Sequence, residues 1–344
     1  MMERKVTRAL VGTSFAALIC FIAAGPAVTA AEAKSYRVNV ATATTGGAYY
    51  PIGNAMAQIW TKNLEGVRAS AQATAGTPQN VELMMDGDVQ VAIAQNGISY
   101  YAYYGVETYK DVKGFPYKDM RGMMALYPNV MHWVVRKDAG IKSVADMKGR
   151  RIIPGQVASA TEVNSREMLA VYGLNYMKDK GATNVEADYL GYNEAADQIK
   201  NGQCDATHIA GGVPTAAVMD LTSSGQAELI SMEPDKVEQI CKNYPWYFPF
   251  TIPAGTYPKQ EKEIHTIALA NILITDKNVD EELIYMLTKA LYQYHDDLVI
   301  GHKATAYTTE DHAFGGMTVP LHKGSIRYFT ERGITVPAEL IVDK

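Results

Sequence analysis

Cysteine is scarce in this 344-residue chain: there are three, and Cys20 lies in an apolar run near the N-terminus, which leaves only Cys204 and Cys241 for the rest. Two thiols cannot build a disulfide-dense scaffold; in an oxidising compartment they either pair or sit as buried thiols. Basic charge is also in deficit, with 32 Lys and Arg against 37 Asp and Glu. That balance argues against nucleic acid or an anionic membrane surface as a partner. After the first thirty or so residues no segment approaches a transmembrane span. Catalytic and cofactor signatures are missing as well. There is no G-x-x-x-x-G-K-[ST] or G-x-G-x-x-G for a nucleotide, no H-E-x-x-H for zinc and no G-x-S-x-G around a serine. The seven histidines (132, 208, 265, 295, 302, 312 and 322) include no i, i+4 pair. No catalytic residue, metal ligand or cofactor is therefore assigned.

What is present begins at the N-terminus. Arg4, Lys5 and Arg8 precede an uncharged run from Ala9 to Ala31, and small residues surround Val28, Thr29 and Ala30. This layout predicts a signal peptide over residues 1–30, cleaved near Ala30, and hence an exported, periplasmic protein. Removing it takes away Arg4, Lys5, Arg8 and Glu3, leaving 29 basic against 36 acidic residues, a net charge of −7. About 310 residues remain, enough for two domains with their own cores.

Strand-like and helix-like segments alternate throughout, the signature of an α/β protein with a mostly parallel sheet. The chain also echoes itself. "ASAQATAGTPQNVELMMDGDVQVAIAQ" reads strand, Gly76, helix, Gly87, strand, and "VEADYLGYNEAADQIKNGQCDATHIAG" reads strand, Gly191, helix, Gly202, strand. Both glycine pairs are eleven residues apart, and each second glycine suits a helix C-terminal cap. Two similar units are expected over residues 36–128 and 130–270. Extended runs interrupted by Pro128 and at 264–277 make two crossings between them. The helix of "DEELIYMLTKALYQYHDDL", with Asp280 as its N-cap, is expected to return with the C-terminal residues onto the first unit. The resulting division is 31–129 plus 271–344 for one lobe and 130–270 for the other.

"TTGGAYY", residues 44–50, joins a strand to a helix without the residues of a phosphate loop. Free backbone N–H groups at such a helix start bind anions. The hydroxyls of Thr44 and Thr45 add donors, Gly46 and Gly47 allow close approach, and Tyr49 and Tyr50 offer flat walls with polar tips. "PGQVASATE" repeats this chemistry with Ser159, Thr161 and Glu162, one of which serves as a helix cap. "AGTPQN", with Thr77 and Asn80, and "AGGVPT", with Gly211, Gly212 and Thr215, complete four loops facing a common cleft. The bland alternative is that each is an ordinary turn. "NYPWYFPFTIPAG" either covers a ligand through Trp246 or Tyr247 or plugs the domain interface. The tyrosines of "SYYAYYG" could line a pocket, though a partly buried helix face explains Tyr100 to Tyr104 more cheaply, and Arg136 and Arg166 are candidates for a carboxylate.

Taken together, "TGGAYYPIGNAMA", "AGTPQNVELMMDGDVQVAIAQ", "YAYYG", "IPAGTYPKQEKEIHTIALANILIT" and "LTKALYQYHDDLVIGH" resemble, in order along the chain, the TAXI family of solute receptors of TRAP transporters. The resemblance implies a type II periplasmic-binding-protein fold, two α/β lobes joined by a two-strand hinge. It further implies a monomer that closes on a small organic acid and presents it to a sodium-driven TRAP permease. Its implied ligand contacts are residues 44–50, Thr77, Asn80, Gln95, Asn96, Ser159 and Thr161, and its implied ligands are glutamate and similar carboxylates. Two departures matter. Gln95 is followed by Asn96 and Gly97 where family members carry a small residue and then Asp, and the second loop reads Ala158-Ser159-Ala160-Thr161 rather than a Ser-Gly-Thr-like stretch. Loss of an aspartate that would meet an ammonium group shifts the expectation toward oxo- or hydroxy-dicarboxylates. The competing readings are a sensory binding protein for a receptor kinase and an exported transferase or lyase on the same scaffold.

Overall fold

Strands and helices alternate along the chain as the glycine spacing predicts. In the structure, a computed structural model that describes residues 34–342, the first unit runs β1 (Tyr36–Ala41), α1 (Tyr49–Asn63), β2 (Val67–Gln72), α2 (Thr77–Met85), β3 (Val91–Gln95) and α3 (Asn96–Tyr104). A long strand, β4 (Met120–Arg136), leads into β5 (Arg151–Ile153), α4 (Ala160–Ala170), β6 (Glu186–Ala187), α5 (Tyr192–Lys200), β7 (Ala206–Gly211) and α6 (Ala216–Ser224). Then come β8 (Ala227–Ile230), α7 (Pro234–Asn243), β9 (Phe248–Ile252), the second long strand β10 (Ile264–Asp276), and the helices α8 (Glu281–Gln293), α9 (His295–Gly301) and α10 (Lys323–Glu331). The expected signal peptide lies outside the described residues.

The echo between the halves extends to the strand order. In the first lobe β2, β1 and β3 run parallel and β10 joins β3 antiparallel; in the second, β6, β5 and β7 run parallel and β4 joins β7 antiparallel. Gly76 and Gly191 occupy the N-caps of α2 and α5, while Gly87 and Gly202 follow those helices at φ +80° and +71°. Glycine adopts that left-handed backbone without the Cβ clash other residues suffer, so it turns each helix sharply into the next strand.

Two strands tie the lobes together. β4 pairs with β10 from Met120 to Val130 and with β7 from Val130 to Val135. β10 pairs with β9 over Ile264 to Ala268 and with β3 from Asn271 to Thr275. Both strands thus pass from one sheet to the other. Pro128, expected to interrupt the extended run, instead lies inside continuous β4 opposite Ala270. A proline has no N–H for a ladder, and it is tolerated where the strand changes partners.

Each sheet is covered on both faces. The C-terminal helices return to the first lobe as expected: Leu287, Leu291 and Phe329 share a core with Ile52, Met56 and Trp60 of α1, and the Trp60 indole donates to the Leu287 carbonyl at 3.0 Å. Asp280 caps α8 by accepting from Leu283 N–H at 3.1 Å. On the other face α2 and α3 bury Val81, Met84, Ile98 and Tyr101. The second lobe repeats the plan, with Met168, Leu169 and Ile240 on one face and Ile199, Val218 and Leu221 on the other. Cys204 and Cys241 are both free thiols; the Cys204 sulfur sits 3.6 Å from Asp188 and Gln198.

Between the lobes lies a buried polar cluster. Tyr101 of α3 donates to Glu167 Oε1 of α4 at 2.8 Å, Tyr247 donates to the other carboxyl oxygen, and Asn164 donates to the Tyr247 hydroxyl at 2.7 Å. Trp246 packs edge-on to Tyr101 with ring centroids 5.1 Å apart, and a Cβ on Gly97 would come within 2.6 Å of its indole nitrogen. Trp246 thus packs against α3, and Gly97 permits the approach. Burial pushes the Glu167 carboxyl up from 4.5 to about 7, against the pull of its hydroxyl and amide partners and of Arg166, whose guanidinium pairs with Glu162 at 2.8 Å. A carboxyl whose folded value lies above its unfolded one stabilises the fold fully below the unfolded value, and that stability is lost as pH rises through the folded value. Relative to Glu167→Gln, the wild type is expected to lose of order 3 kcal/mol between pH 4.5 and 7. Paired thermal melts across pH 4 to 8.5 check this, and a difference that stays flat would mean that Glu167 titrates as an ordinary exposed carboxylate.

Candidate functional site

Helices in α/β units start at the carboxyl ends of the strands they follow. Here β1, β2, β5 and β6 send their chain ends to one place, and the first residues of α1, α2, α4 and α5 surround a single chamber of about 40 Å³. Ala48 and Tyr49, Gly76 and Thr77, Ser159 to Thr161, and Gly191 and Tyr192 all line it. Two helix starts come from each lobe, and the pairs correspond through the internal duplication.

The sequence at each start leaves the backbone available. The first four N–H groups of a helix have no intrahelical acceptor. In α4 Ser159 supplies one, accepting from Glu162 N–H at 3.2 Å, but α1, α2 and α5 carry no side-chain cap. The first turns of α1 and α2 also lack an acidic residue. A helix N-terminus carries about half a positive charge, worth roughly 0.3–1 kcal/mol to an anion beside it. Four together supply about 1–4 kcal/mol, as much as one charged hydrogen bond from an arginine at about 1.5–3 kcal/mol. Among the described residues no charged side chain lines the chamber.

Polar side chains complete the wall. Gln95 at the end of β3, Asn129 on β4 and Gln156 in the loop before α4 all line the chamber, and their carboxamide oxygens are buried without a hydrogen-bond partner. Each carboxamide carries an acceptor and two donors and can present either by rotation about its last bond. An unpaired buried polar atom costs about 1–3 kcal/mol. Tyr192 is fixed across the chamber: its hydroxyl lies 2.7 Å from Thr161 Oγ1, donates to the Ala210 carbonyl at 2.8 Å and accepts from Ala210 N–H at 3.1 Å. Tyr49 donates to Asn271 of β10. Burial holds both tyrosines above their usual value, so both remain protonated donors near neutral pH.

Of the residues expected from sequence, Thr44, Gly47, Tyr49, Thr77, Gln95, Ser159 and Thr161 line the chamber. Thr77 Oγ1 accepts from Gln95 N–H at 3.0 Å and so joins the start of α2 to the end of β3. Thr45 and Gly46 sit at the rim against the second lobe: Asn193 approaches Thr45 Oγ1 at 3.5 Å, and the Gly46 carbonyl accepts from Ala217 N–H at 3.4 Å. A Cβ on Gly46 would fall 2.3 Å from the Asn193 side-chain oxygen, and one on Gly47 would fall 3.3 Å from the Tyr192 ring.

Five other expected residues lie elsewhere. Tyr50 is in the first turn of α1 and its carbonyl accepts from Asn54 at 3.0 Å. Asn80 is a staple beneath the loops, donating to the carbonyls of Thr42 at 2.7 Å and Ile93 at 2.8 Å. Asn96 donates to the Gly316 carbonyl at 3.0 Å and, with Trp246, borders a separate cavity of about 660 Å³. Gly212 packs against the ring of Tyr127 and Ala304. Arg136 pairs with Asp138 and Asp205, and Arg166 with Glu162, so neither is directed at the chamber. Among the described residues no group of three or more His, Cys, Asp or Glu is placed to hold a metal ion.

Asn129, Gln156, Gly191 and Tyr192 line the chamber without having been singled out. The fourth helix start belongs to "LGYN" and not to "AGGVPT". The signal was available, because Gly191 is the partner of Gly76 in the echo, and the residue after Gly76 is Thr77. Asn129 and Gln156 had no comparable signal, since a lone carboxamide beside Pro128 or inside a loop looks like any other polar residue.

Comparison with known proteins adds the following. Among solved structures the chain is similar, at 14% identity, to the alkanesulfonate-binding protein of Xanthomonas axonopodis pv. citri bound to MOPS (80% of each chain covered, TM-score 0.44). It is similar, also at 14%, to the periplasmic aliphatic sulphonate binding protein of Escherichia coli (87% and 83%, TM-score 0.45). A Xanthomonas citri protein bound to ATP matches at 10% identity (86% and 95%, TM-score 0.48). The NMT1-like family model matches residues 40–333, and with most of its length inside that match the chain belongs to the NMT1-like family.

Proposed function

We propose that this protein is an exported solute receptor that captures a small organic acid between its lobes and delivers it to a membrane permease. The observation that carries the reading is the convergence of four helix N-termini, two from each lobe, on one chamber whose three carboxamide oxygens are unpartnered. Such a wall is complementary to a carboxylate. It has hydrogen-bond donors and partial positive charge, while its side chains bear no full charge that would have to be desolvated. The division at 129/130 and 270/271 gives each lobe two of the helix starts. Ligand held by α1 and α2 then meets α4 and α5 only when the lobes close, and that differential contact shifts the population toward the closed form.

The lining also favours a receptor over an enzyme. Its titratable side chains are tyrosines held protonated, and no base stands opposite an electrophile. An α-amino acid would leave its ammonium group without a carboxylate partner, as the Asn96-Gly97 departure in the sequence suggests. For the permease, the resemblance to TAXI receptors supports a sodium-driven TRAP partner. Uptake into proteoliposomes containing the cognate permease tests it: transport is expected to follow a sodium gradient, and dependence on internal ATP would overturn it.

A calorimetric and thermal-shift screen of two- to six-carbon acids tests the receptor reading. Gln95→Leu and Gln156→Leu are each expected to weaken binding at least tenfold, about 1.4 kcal/mol, while the ligand-free melting temperature holds or rises, because each removes an unpaired buried oxygen. Normal binding by both variants would misplace the site. Gly46→Leu adds bulk where the lobes meet. It is expected to enlarge the radius of gyration measured by X-ray scattering with ligand present and to weaken binding, with little change in the unliganded melt; an unchanged radius would show that this contact does not govern closure.

A further inference from the structure

The size and wall of the chamber narrow the ligand further, on the reading that this chamber is the binding site. It measures about 40 Å³, and roughly 10–15 Å³ of such space admits one water. About three water-sized positions fit, enough for a carboxylate and one to three further heavy atoms. The lobes already touch around it, through the Gly46 carbonyl on Ala217 N–H and through Tyr101 on Glu167. The chamber is therefore that of a closed receptor, and a longer acid would hold the lobes apart and forfeit those contacts.

The wall excludes in the same direction. Away from the polar groups it is lined by Ala43, Ala48, Ala75, Ala160, Ala210 and Leu190. No cation lines it to receive a second carboxylate, and no anion lines it to receive an ammonium. An unpaired charge taken into such a space costs far more than the burial of a methyl group returns. Leu190 is the bulkiest aliphatic side chain in the lining.

We infer that the ligand is a monocarboxylate of two or three carbons, of the type of acetate, propionate, glycolate or pyruvate, and that Leu190 sets the length limit. A short tail bearing a hydroxyl or oxo group meets Tyr192, Gln156 or Asn129, and a methyl meets the alanines. Leu190→Ala removes three carbons from the wall while leaving every polar contact in place.

The experiment is a calorimetric titration of the purified protein at pH 7 with the sodium salts of acetate, propionate, glycolate, pyruvate, hexanoate, succinate and L-glutamate. The two- and three-carbon acids are expected to bind at least tenfold more tightly than hexanoate, succinate or glutamate. In Leu190→Ala the preference is expected to move to four- and five-carbon monocarboxylates, with succinate and glutamate remaining weak. Tightest binding of succinate or glutamate by the wild type would overturn the assigned class and leave the receptor reading standing. An unchanged length profile in Leu190→Ala would overturn the role of that residue, and an absence of binding by every acid would overturn the receptor reading as well.

Discussion

The helix starts around the chamber face one another only because β4 and β10 each belong to both sheets. A single doubly wound sheet points its helix N-termini along one edge, outward and side by side. Two such sheets, joined by strands that change partners at the crossing, turn those edges toward each other. Everything else at the site depends on this constraint: the pairing of α1 and α2 with α4 and α5, the position of Asn129 on a crossing strand, and the anchoring of Tyr49 on Asn271 of the other. One of the crossing strands, β4, is itself part of the chamber wall through Asn129.

The chemistry follows from what the backbone already provides. Arginine and lysine are absent from the lining, yet four helix dipoles and a few hydroxyls and carboxamides offer a comparable attraction. Dipoles of this kind need no counter-charge when the chamber is empty, whereas a buried guanidinium would. The cost is instead distributed over carboxamide oxygens left unpaired and helix starts left uncapped. Ser159 is the exception: it caps α4 itself, so in the second lobe only the start of α5 is left bare, beside Thr161, Tyr192 and Gln156 on the chamber wall.

Much of the fold was legible from spacing. Glycines eleven residues apart, twice, marked where helices stop and strands resume, and the same echo extended to the strand order. The candidate site was legible where local composition betrayed a helix start, as in "TTGGAYY" and "ASATE". It was not legible where a residue reaches the chamber only by virtue of the crossing. Asn129 gains its place because β4 changes partners at Val130, two residues after Pro128, and no local pattern announces that. Asn80 shows the opposite case: an asparagine in a small-residue loop, expected as a ligand contact, donates its amide to the carbonyls of Thr42 and Ile93. For Trp246 the sequence left cover and plug equally open; its ring packs on Tyr101 and close to Gly97, at the border of the larger cavity and not in the chamber.

The core of the first lobe mixes residues from the beginning of the chain with residues from its very end: Ile52 and Trp60 pack on Leu287, Leu291 and Phe329. The second lobe is made from one continuous stretch. During synthesis the second lobe can therefore assemble while the first still waits for its closing helices, and Trp60 stays unburied until α8 arrives. That order withholds a finished core from the N-terminal half until α8 and α10 have been made.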